Sequence, residues 1–389
     1  MKRTIFTTRS RLAAAVALSV GVGALVFASL ASADSPQTCT DPNQPKCTIQ
    51  LSTGITMRYL EVGPSNGPVV FLLHGYTDSS RSMSLVMNNL HLLMPALDII
   101  DPDLRGHGQS SMPAGAGCPA APDTCFRPID FAQDIVAFMD ARHIHRATMV
   151  GHSMGTLVAQ ELGLTYPQRV EKLVLISTAT DGQSEPPLFD LLGLINGVWE
   201  PAFQAAGYTW PDGVYDVSPA VAAPDFQDFL VGSWVADPIA APSFISQIVP
   251  ETAATPLGTW IGALEAITEA DNTQRLRRLK APTLVLWSTQ DDIFSRDIEQ
   301  KLIDSLTVAA QHGGSFWWKQ YGVLAPPGDG SQTDFGHNLV WEAPGPVALD
   351  IASFIVLGQP TNIAFHTDYP ADIHQIVAEP GKAVLIHDP

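Results

Sequence analysis

The sequence predicts an α/β fold in which helices flank a mostly parallel central sheet, with a mostly helical segment inserted into it. Three observations carry this prediction. The strand predicted over 69–74 is continuously apolar at residues 69–73, as expected for a strand that a parallel sheet buries on both faces. A buried strand at 147–150 runs through a tight turn into the helix predicted over 154–166. The alternation of strand and helix patterns stops near residue 181 and resumes at residue 282.

The other elements follow from apolar periodicity and from turn and cap residues. Further strands are predicted over 56–62, 97–101, 171–176, 283–287 and 315–321. Further helices are predicted over 81–94, from Asp130 as its cap to residue 142, and over 343–357. A Pro-, Ala- and Gly-rich insertion is expected at 112–128.

The first 33 residues have the pattern of a secretory signal peptide cleaved after Ala33. Residues 1–11 carry four basic side chains, an uncharged stretch follows over 12–30, and small residues precede the cleavage site. We therefore expect a secreted, extracellular protein. The apolar stretch is also long enough to span a bilayer, so an uncleaved anchor is the alternative, and only then would the membrane be a partner.

The chain without this segment is strongly acidic. Of 21 Lys and Arg in the full sequence four lie in residues 1–33, so 17 remain against 39 Asp and Glu, and the formal charge is −22 with His neutral. Such a surface repels polyanions, and the sequence has no basic stripe. Composition therefore argues against nucleic acid or an anionic membrane surface as a partner.

The four cysteines fall in two close pairs, Cys39 with Cys47 and Cys118 with Cys125. An even number in an exported chain predicts two disulfides. These two pairs are the expected connectivity, although four cysteines allow three pairings and the sequence does not choose between them. Zinc is the alternative, but neither pair has Cys-x-x-Cys spacing and no histidine cluster completes a site. Residues 34–48 are expected to form an exposed leader that the first disulfide closes into a loop.

A Gly-x-Ser-x-Gly motif, formed by Gly151, Ser153 and Gly155, occupies the tight turn between strand and helix. In so sharp a turn the serine backbone is strained and its hydroxyl projects, so the flanking residues must be small. Such a triple arises by chance in roughly one chain of this length in eight. The strand before it and the helix after it make the pattern specific.

With this motif the chain resembles the α/β-hydrolase superfamily, from about residue 56 to residue 356. The sequence Asp-Leu-Arg-Gly-His-Gly-Gln-Ser, beginning at Asp103, resembles the family's Asp-x-Arg-Gly-His-Gly-x-Ser turn. We expect Asp103 to pair with Arg105 and brace this turn. His107 and His74 are expected to be structural histidines rather than catalytic ones.

The resemblance implies a catalytic triad in the order Ser, Asp, His. Ser153 is the implied nucleophile. Asp291 lies in Ser-Thr-Gln-Asp-Asp, which is similar to the family's Gly-x-x-Asp turn, although Ser288 replaces the usual glycine and Asp292 is the alternative acid. His337 opens Gly-His-Asn-Leu-Val-Trp-Glu-Ala-Pro, which resembles Gly-His-x-x-x-x-Glu-x-Pro at the start of the family's last helix.

The same resemblance implies an oxyanion hole made by the backbone N–H groups of Tyr76 and Met154. No metal or organic cofactor is expected. The family commonly inserts a mostly helical lid where the alternation stops, and residues 181–280, which hold four of the eight tryptophans, are expected to be that lid. The predicted organisation is a signal peptide at 1–33, an α/β-hydrolase core at 34–180 and 281–357, the lid at 181–280, and an extension of unassigned role at 358–389.

The implied activity is that of a serine hydrolase that cleaves small carboxylic esters through an acyl-enzyme. Between Lys172 and Arg275 there is no basic residue, which favours neutral apolar or aromatic substrates. Amide, lactone or carbon–carbon bond hydrolysis and acyl transfer use the same residues and are alternatives. A non-catalytic ligand-binding protein is a further one. Ser153 argues against an epoxide hydrolase or haloalkane dehalogenase, whose resemblance would need an aspartate there.

Overall fold

The structure is a computed structural model that describes residues 39–322 and 334–363 and the strands 374–379 and 382–387. The predicted signal peptide lies outside the described residues. Within the described part, no helix is both long enough and apolar enough to cross a membrane.

The described strands form one mixed sheet of ten strands in the order β1-β2-β4-β3-β5-β6-β7-β8-β9-β10. Their bounds are β1 Cys47–Gln50, β2 Thr56–Val62, β3 Val69–Leu73, β4 Asp98–Pro102, β5 Ala147–His152, β6 Val170–Ile176, β7 Thr283–Ser288, β8 Phe316–Tyr321, β9 His374–Glu379 and β10 Lys382–His387. The pairings from β4 through β8 are parallel, and those at the two edges are antiparallel. The predicted α/β class with a mostly parallel centre is confirmed.

Helices cover both faces of the sheet. They are α1 Ser80–Leu93, α2 Pro128–Ala141, α3 Met154–Thr165, α4 Pro186–Leu194, α5 Glu200–Ala205, α6 Phe226–Phe229, α7 Pro242–Ala254, α8 Leu257–Glu269, α9 Thr273–Leu276, α10 Arg296–Gln311, α11 Leu339–Glu342 and α12 Pro344–Leu357. Asp130 is not the cap residue of α2 but lies three residues after it, where its carboxylate accepts the Arg127 backbone N–H at 3.0 Å.

Successive residues of the central strands enter two separate hydrophobic cores. In β3, Phe71 and Leu73 belong to one core, whereas Val70 and Leu72 belong to the other. A strand covered on both faces needs apolar side chains at every position, because either face would otherwise bury a polar group. This requirement explains the continuously apolar pattern from which the strand was predicted.

The segment at 181–280 contains α4 through α9, with short turns between them and no strand. Two of these turns are π-helical, Ile195–Trp199 and Leu230–Trp234. Trp199 and Trp260 pack edge to face at 5.5 Å and are fully buried, and they belong to the same hydrophobic core as Phe71 of β3.

The described part of the expected exposed leader is only partly exposed. Residues 43–45 are exposed, but strand β1 begins at Cys47 and pairs with β2, and the side chain of Lys46 is buried. The Cys39–Cys47 and Cys118–Cys125 sulfur atoms are at disulfide distance, with Cα atoms 5.5 and 5.7 Å apart. The structure therefore pairs the cysteines as expected.

The expected ion pair between Asp103 and Arg105 is wrong. Asp103 accepts hydrogen bonds from the Lys46 ammonium at 2.8 and 2.9 Å. Arg105 instead forms a bidentate ion pair with Asp134 of α2, at 2.6 and 2.7 Å. Each charge thus has its own buried partner. The prediction failed because Lys46 lies in the segment that was expected to be exposed.

The extension at 358–389 adds to the sheet. Strand β9 pairs antiparallel with β8, and β10 pairs antiparallel with β9. The short strands β1, β9 and β10 were not predicted.

Candidate active site

The turn at Ser153 is as strained as the Gly-x-Ser-x-Gly motif predicts. Ser153 has φ 51° and ψ −123°, which a side-chain-bearing residue rarely adopts. A Cβ atom at Gly155 would lie 2.1 Å from the Leu73 carbonyl oxygen, and one at Gly151 would lie 2.4 Å from the Gly155 carbonyl oxygen. Both glycines are therefore needed for β5, β3 and α3 to approach this closely, and their approach holds the serine at the carboxyl end of β5.

Three side chains from separate parts of the chain form a hydrogen-bonded row at this turn. The Nε2 atom of His337 lies 2.9 Å from Ser153 Oγ, and its Nδ1 atom lies 2.9 Å from Asp291 Oδ1. All three residues are buried. A histidine with one ring nitrogen on a hydroxyl and the other on a carboxylate can remove the hydroxyl proton and remain stabilised after it does so.

The structure places Asp291, and not Asp292, against the imidazole. The Asp291 side chain is fully buried, and its Oδ1 atom also accepts the backbone N–H groups of Ile293 and Phe294 at 3.1 and 2.8 Å. Asp292 is exposed. Ser288, where the family has glycine, donates its hydroxyl to the Gly336 carbonyl and so ties the Asp291 turn to the residue before His337.

Tyr76 lines the inner cavity together with Ser153, and Met154 is the first residue of α3, directly after Ser153. Within the described residues, neither backbone N–H donates a hydrogen bond to another protein group. The Tyr76 hydroxyl donates to the Trp260 carbonyl, which anchors the ring away from the serine. A Cβ atom at Gly75 would lie 3.2 Å from the Ser153 Cβ, so this loop approaches the serine closely. The role of these two amides as an oxyanion hole stays a prediction.

Two other histidines near the turn are held neutral. Burial lowers the pKa of both His74 and His152 to about 3. His74 accepts the Leu104 backbone N–H at Nε2, which leaves Nδ1 to donate to the Gly75 carbonyl at 2.8 Å. These contacts agree with the structural role expected for His74. His152 contacts the His337 carbonyl through Nε2 at 3.0 Å.

The pKa of His337 is raised by its neighbours. Burial alone would lower this pKa, but the charge of Asp291 and its hydrogen bond outweigh the effect, with smaller contributions from Asp292 and Asp78. Burial raises the pKa of the Asp78 carboxyl to about 7. The charge on the imidazole and the charge on Asp78 are therefore coupled near neutral pH.

Two cavities meet at His337. The inner cavity, of about 60 Å³, is lined by Ser153, Tyr76 and Asp78 and by apolar side chains that include Leu188 and Ile267. The outer cavity, of about 480 Å³, touches His337 but neither Ser153 nor Tyr76. Carboxyl groups from four parts of the chain line the outer cavity, and its lining within the described residues contains no Lys or Arg. They are Asp190, Asp237, Asp292, Asp334 and Glu342.

Two residues of this site were not found from the sequence. Trp234 lines both cavities, and its indole N–H donates to Thr77 Oγ1 at 2.9 Å. Asp78 follows the loop of Tyr76 by two residues but belongs to no motif. The four tryptophans of 181–280 were one signal for Trp234, although sequence alone did not distinguish it from the buried Trp199 and Trp260.

Comparison with known proteins identifies the family. A family profile described as the alpha/beta hydrolase fold matches residues 68–316, which is well over half of the chain. The chain belongs to the α/β-hydrolase family. Among the described residues, no group of three or more His, Cys, Asp or Glu is placed to hold a metal ion.

The relatives of this α/β hydrolase are named for several different activities. The epoxide hydrolase of Caballeronia sordidicola is 30% identical over 139 residues, which are 36% of this chain and 39% of that protein. The 3-oxoadipate enol-lactonase 2 of Acinetobacter baylyi is 24% identical over 246 residues, 61% of this chain and 77% of that protein. The matches cover only 29% to 43% of the length of the first five curated relatives.

Solved structures show the same fold at low sequence identity. An esterase from Exiguobacterium antarcticum matches with a TM-score of 0.58 at 17% identity, covering 80% of this chain and 99% of that one. A hydrolase from Pseudomonas aeruginosa matches with a TM-score of 0.55 at 21% identity, covering 82% of this chain and all of the other. The family and the names of its relatives support hydrolase activity on small molecules.

Proposed function

We propose that this α/β hydrolase is a secreted serine hydrolase that cleaves small, neutral carboxylic esters through an acyl-enzyme. The observation that carries the proposal is the row formed by Ser153, His337 and Asp291, with 2.9 Å at each contact. Ser153 also stands where an epoxide hydrolase or haloalkane dehalogenase of this fold would need an aspartate. The activity for which the epoxide hydrolase relative is named is therefore not proposed for this chain.

The first step forms the acyl-enzyme. Ser153 Oγ attacks the ester carbonyl carbon while its proton passes to Nε2 of His337. Asp291 fixes the orientation of the imidazole and stabilises its charged form. Negative charge develops on the carbonyl oxygen, and in this proposal the backbone N–H groups of Tyr76 and Met154 donate hydrogen bonds to it. Each such donor contributes about 10²- to 10³-fold to turnover.

The intermediate collapses when the carbon–oxygen bond to the alcohol breaks. His337 returns its proton to the departing alkoxide, so the alcohol leaves neutral and the acyl group remains on Ser153. Water then donates a proton to His337 as it attacks the acyl carbon, and the reverse transfer releases the acid and restores the serine hydroxyl. No step of this cycle calls for a cofactor.

The segment at 181–280 is proposed to be a lid over this site. Support comes from the cavity lining, because Leu188, Trp234, Val235 and Ile267 all line the inner cavity beside Ser153. Excluding water from the site would strengthen the interactions on which the developing charge depends. Export is supported by the two pairs of cysteines at disulfide distance, since such bonds persist in oxidising compartments.

A fluorophosphonate probe and an ester panel test the proposal together. The probe should label Ser153, because an activated serine beside two amide donors attacks phosphorus as it attacks carbon. Ser153→Ala should abolish labelling and the hydrolysis of p-nitrophenyl esters while leaving the circular dichroism spectrum unchanged. Labelling that survives this substitution would contradict the assignment.

Lactone hydrolysis is a second candidate. A lactone is an ester whose leaving group stays attached, so the same residues act on it, and the relative matched over 77% of its length is named an enol-lactonase. Turnover of lactones at a kcat/KM above that of open esters of similar size would favour this candidate.

A further inference from the structure

The two cavities differ in which reacting groups they touch. The inner cavity is lined by Ser153 and Tyr76, which bind the acyl carbon and its oxygen in the proposed reaction. His337, which protonates the leaving group, lines both cavities, whereas Ser153 does not line the outer one. An acyl group bonded to Ser153 therefore lies in the inner cavity, which leaves the outer cavity for the alcohol portion.

Their volumes set how large each portion can be. On the same measure of volume, the inner cavity, at about 60 Å³, is one eighth as large as the outer cavity, at about 480 Å³. The outer cavity, at about 480 Å³, falls within the range of about 300–1,000 Å³ that is typical of sites for whole small molecules. The larger part of the substrate thus has room only on the leaving-group side.

We propose that the enzyme selects esters of short acyl groups and accepts much larger leaving groups. This inference rests on the proposed function of Ser153 as the nucleophile. The substrate class is then esters of small carboxylic acids with bulky alcohols.

The wall of the inner cavity resists expansion. Leu188, Ile267 and Phe294 are each at most 6% exposed and are packed in the core, so a longer chain could enter only by displacing packed side chains. Trp234 stands between the cavities, because it lines both. Its indole is held by Thr77 and packs edge to face on Tyr76 at 5.7 Å. We assign Trp234 as the residue that limits acyl length.

Two isomeric esters test the division of the substrate. Octyl acetate and ethyl octanoate have the same atoms and differ only in which side of the ester carries the long chain. We expect kcat/KM for octyl acetate to exceed that for ethyl octanoate by on the order of 10- to 100-fold, the range that misfit in a packed pocket produces. Equal values, or preference for ethyl octanoate, would overturn the inference while leaving the proposed function intact.

Variants then test the role of Trp234. Trp234→Ala should enlarge the inner cavity and reduce the preference at least tenfold. Leu188→Ala, which changes another residue of the inner cavity, should also reduce it and serves if the tryptophan variant does not fold. Val231→Ala is the matched control, because Val231 lies in the same π-helical turn but is 60% exposed. An unchanged preference in folded variants would overturn the assignment. Failure of the wild type to hydrolyse any ester or to react with the fluorophosphonate would instead refute the proposed function.

Discussion

At the scale of single residues, the chemistry depends on which carboxylate faces His337. Asp291 contacts its Nδ1 atom, whereas Asp292 is exposed at the outer cavity. We expect Asp291→Asn to lower kcat by roughly 10³- to 10⁴-fold, because an amide at this position favours the wrong tautomer of the imidazole. Asp292→Asn, the matched control, should lower kcat less than tenfold. Steady-state kinetics on p-nitrophenyl acetate measures both, and the reverse ranking would transfer the role to Asp292.

The raised pKa of His337 sets the pH dependence. Hydrolysis needs the neutral imidazole, and a raised pKa keeps the imidazole protonated to higher pH. The kcat/KM of the wild type should therefore rise with pH through an inflection above the ordinary imidazole value of about 6.5. His152, neutral because its pKa is about 3, adds no inflection in this range. An inflection below 6.5 would show that burial outweighs Asp291.

Asp78 offers a finer test of the same coupling. Its ionised carboxylate is one of the groups that raise the pKa of His337. Asp78→Asn should consequently move the inflection of the kcat/KM profile to lower pH, with the plateau at high pH retained to within about tenfold. Asp130→Asn, which changes a carboxylate at the start of α2, should leave the inflection in place. A profile that does not move would remove Asp78 from the electrostatics of the site.

Residues of the site differed in how well the sequence predicted them. Ser153 and His337 lie in motifs whose spacing is imposed by a sharp turn and by the start of a helix, so local sequence carries them. Trp234 and Asp78 take their positions from packing between distant segments. No local pattern encodes that packing, and neither residue could be predicted.

At the scale of elements, apolar periodicity predicted the central strands because each of them is covered on both faces. Strand β1 was missed because it is short and lies at the edge of the sheet, where one face needs no apolar residue. The burial of Lys46, the residue before β1, was not predicted either. A buried lysine is rarely expected from sequence, since it requires a carboxylate that only the fold brings to it.

The buried contact between Lys46 and Asp103 should stabilise the fold strongly. Burial alone would raise the pKa of Asp103, but Lys46 and the N–H groups of Ser80 and Gln109 hold it below its usual range. Lys46→Ala leaves this carboxylate buried without its cation, so we expect a loss of about 3–5 kcal/mol in the free energy of unfolding. Urea denaturation at pH 7 measures the loss.

The control and the pH dependence separate this effect from a surface one. Asp140→Asn, which removes an ion pair whose carboxylate is 63% exposed, should cost no more than about 1 kcal/mol. Because the pKa of Asp103 is lowered on folding, its stabilising contribution is present above about pH 3.9 and is lost as the pH falls through the folded-state value. Equal losses for the two variants at pH 7 would contradict the buried pair.

At the scale of the whole molecule, the sequence predicted an acidic chain without a basic residue between Lys172 and Arg275, but not where those acids lie. The structure places two of them, Asp190 and Asp237, at the outer cavity. Glu342, whose pKa is raised to about 9 by burial and by Asp237, adds a carboxyl that is neutral at pH 7.

This distribution predicts selection against anionic substrates. A cavity wall of carboxylates without a cation offers no charge-assisted partner to a substrate carboxylate and repels it. We expect a neutral ester to have a higher kcat/KM than its analogue with a free carboxylate on the leaving group. The ratio of the two kcat/KM values should shrink as salt rises, because the screening length falls from about 30 Å at 0.01 M to about 8 Å at 0.15 M.

Two variants that each remove one negative charge distinguish the effect of the cavity wall from the effect of the net charge of the protein. Asp190→Asn, at the outer cavity, should reduce the ratio at low salt, whereas Asp225→Asn, which does not line either cavity, should leave it nearly unchanged. Equal effects of the two variants would show that the net charge of the molecule, and not the cavity wall, repels the anion.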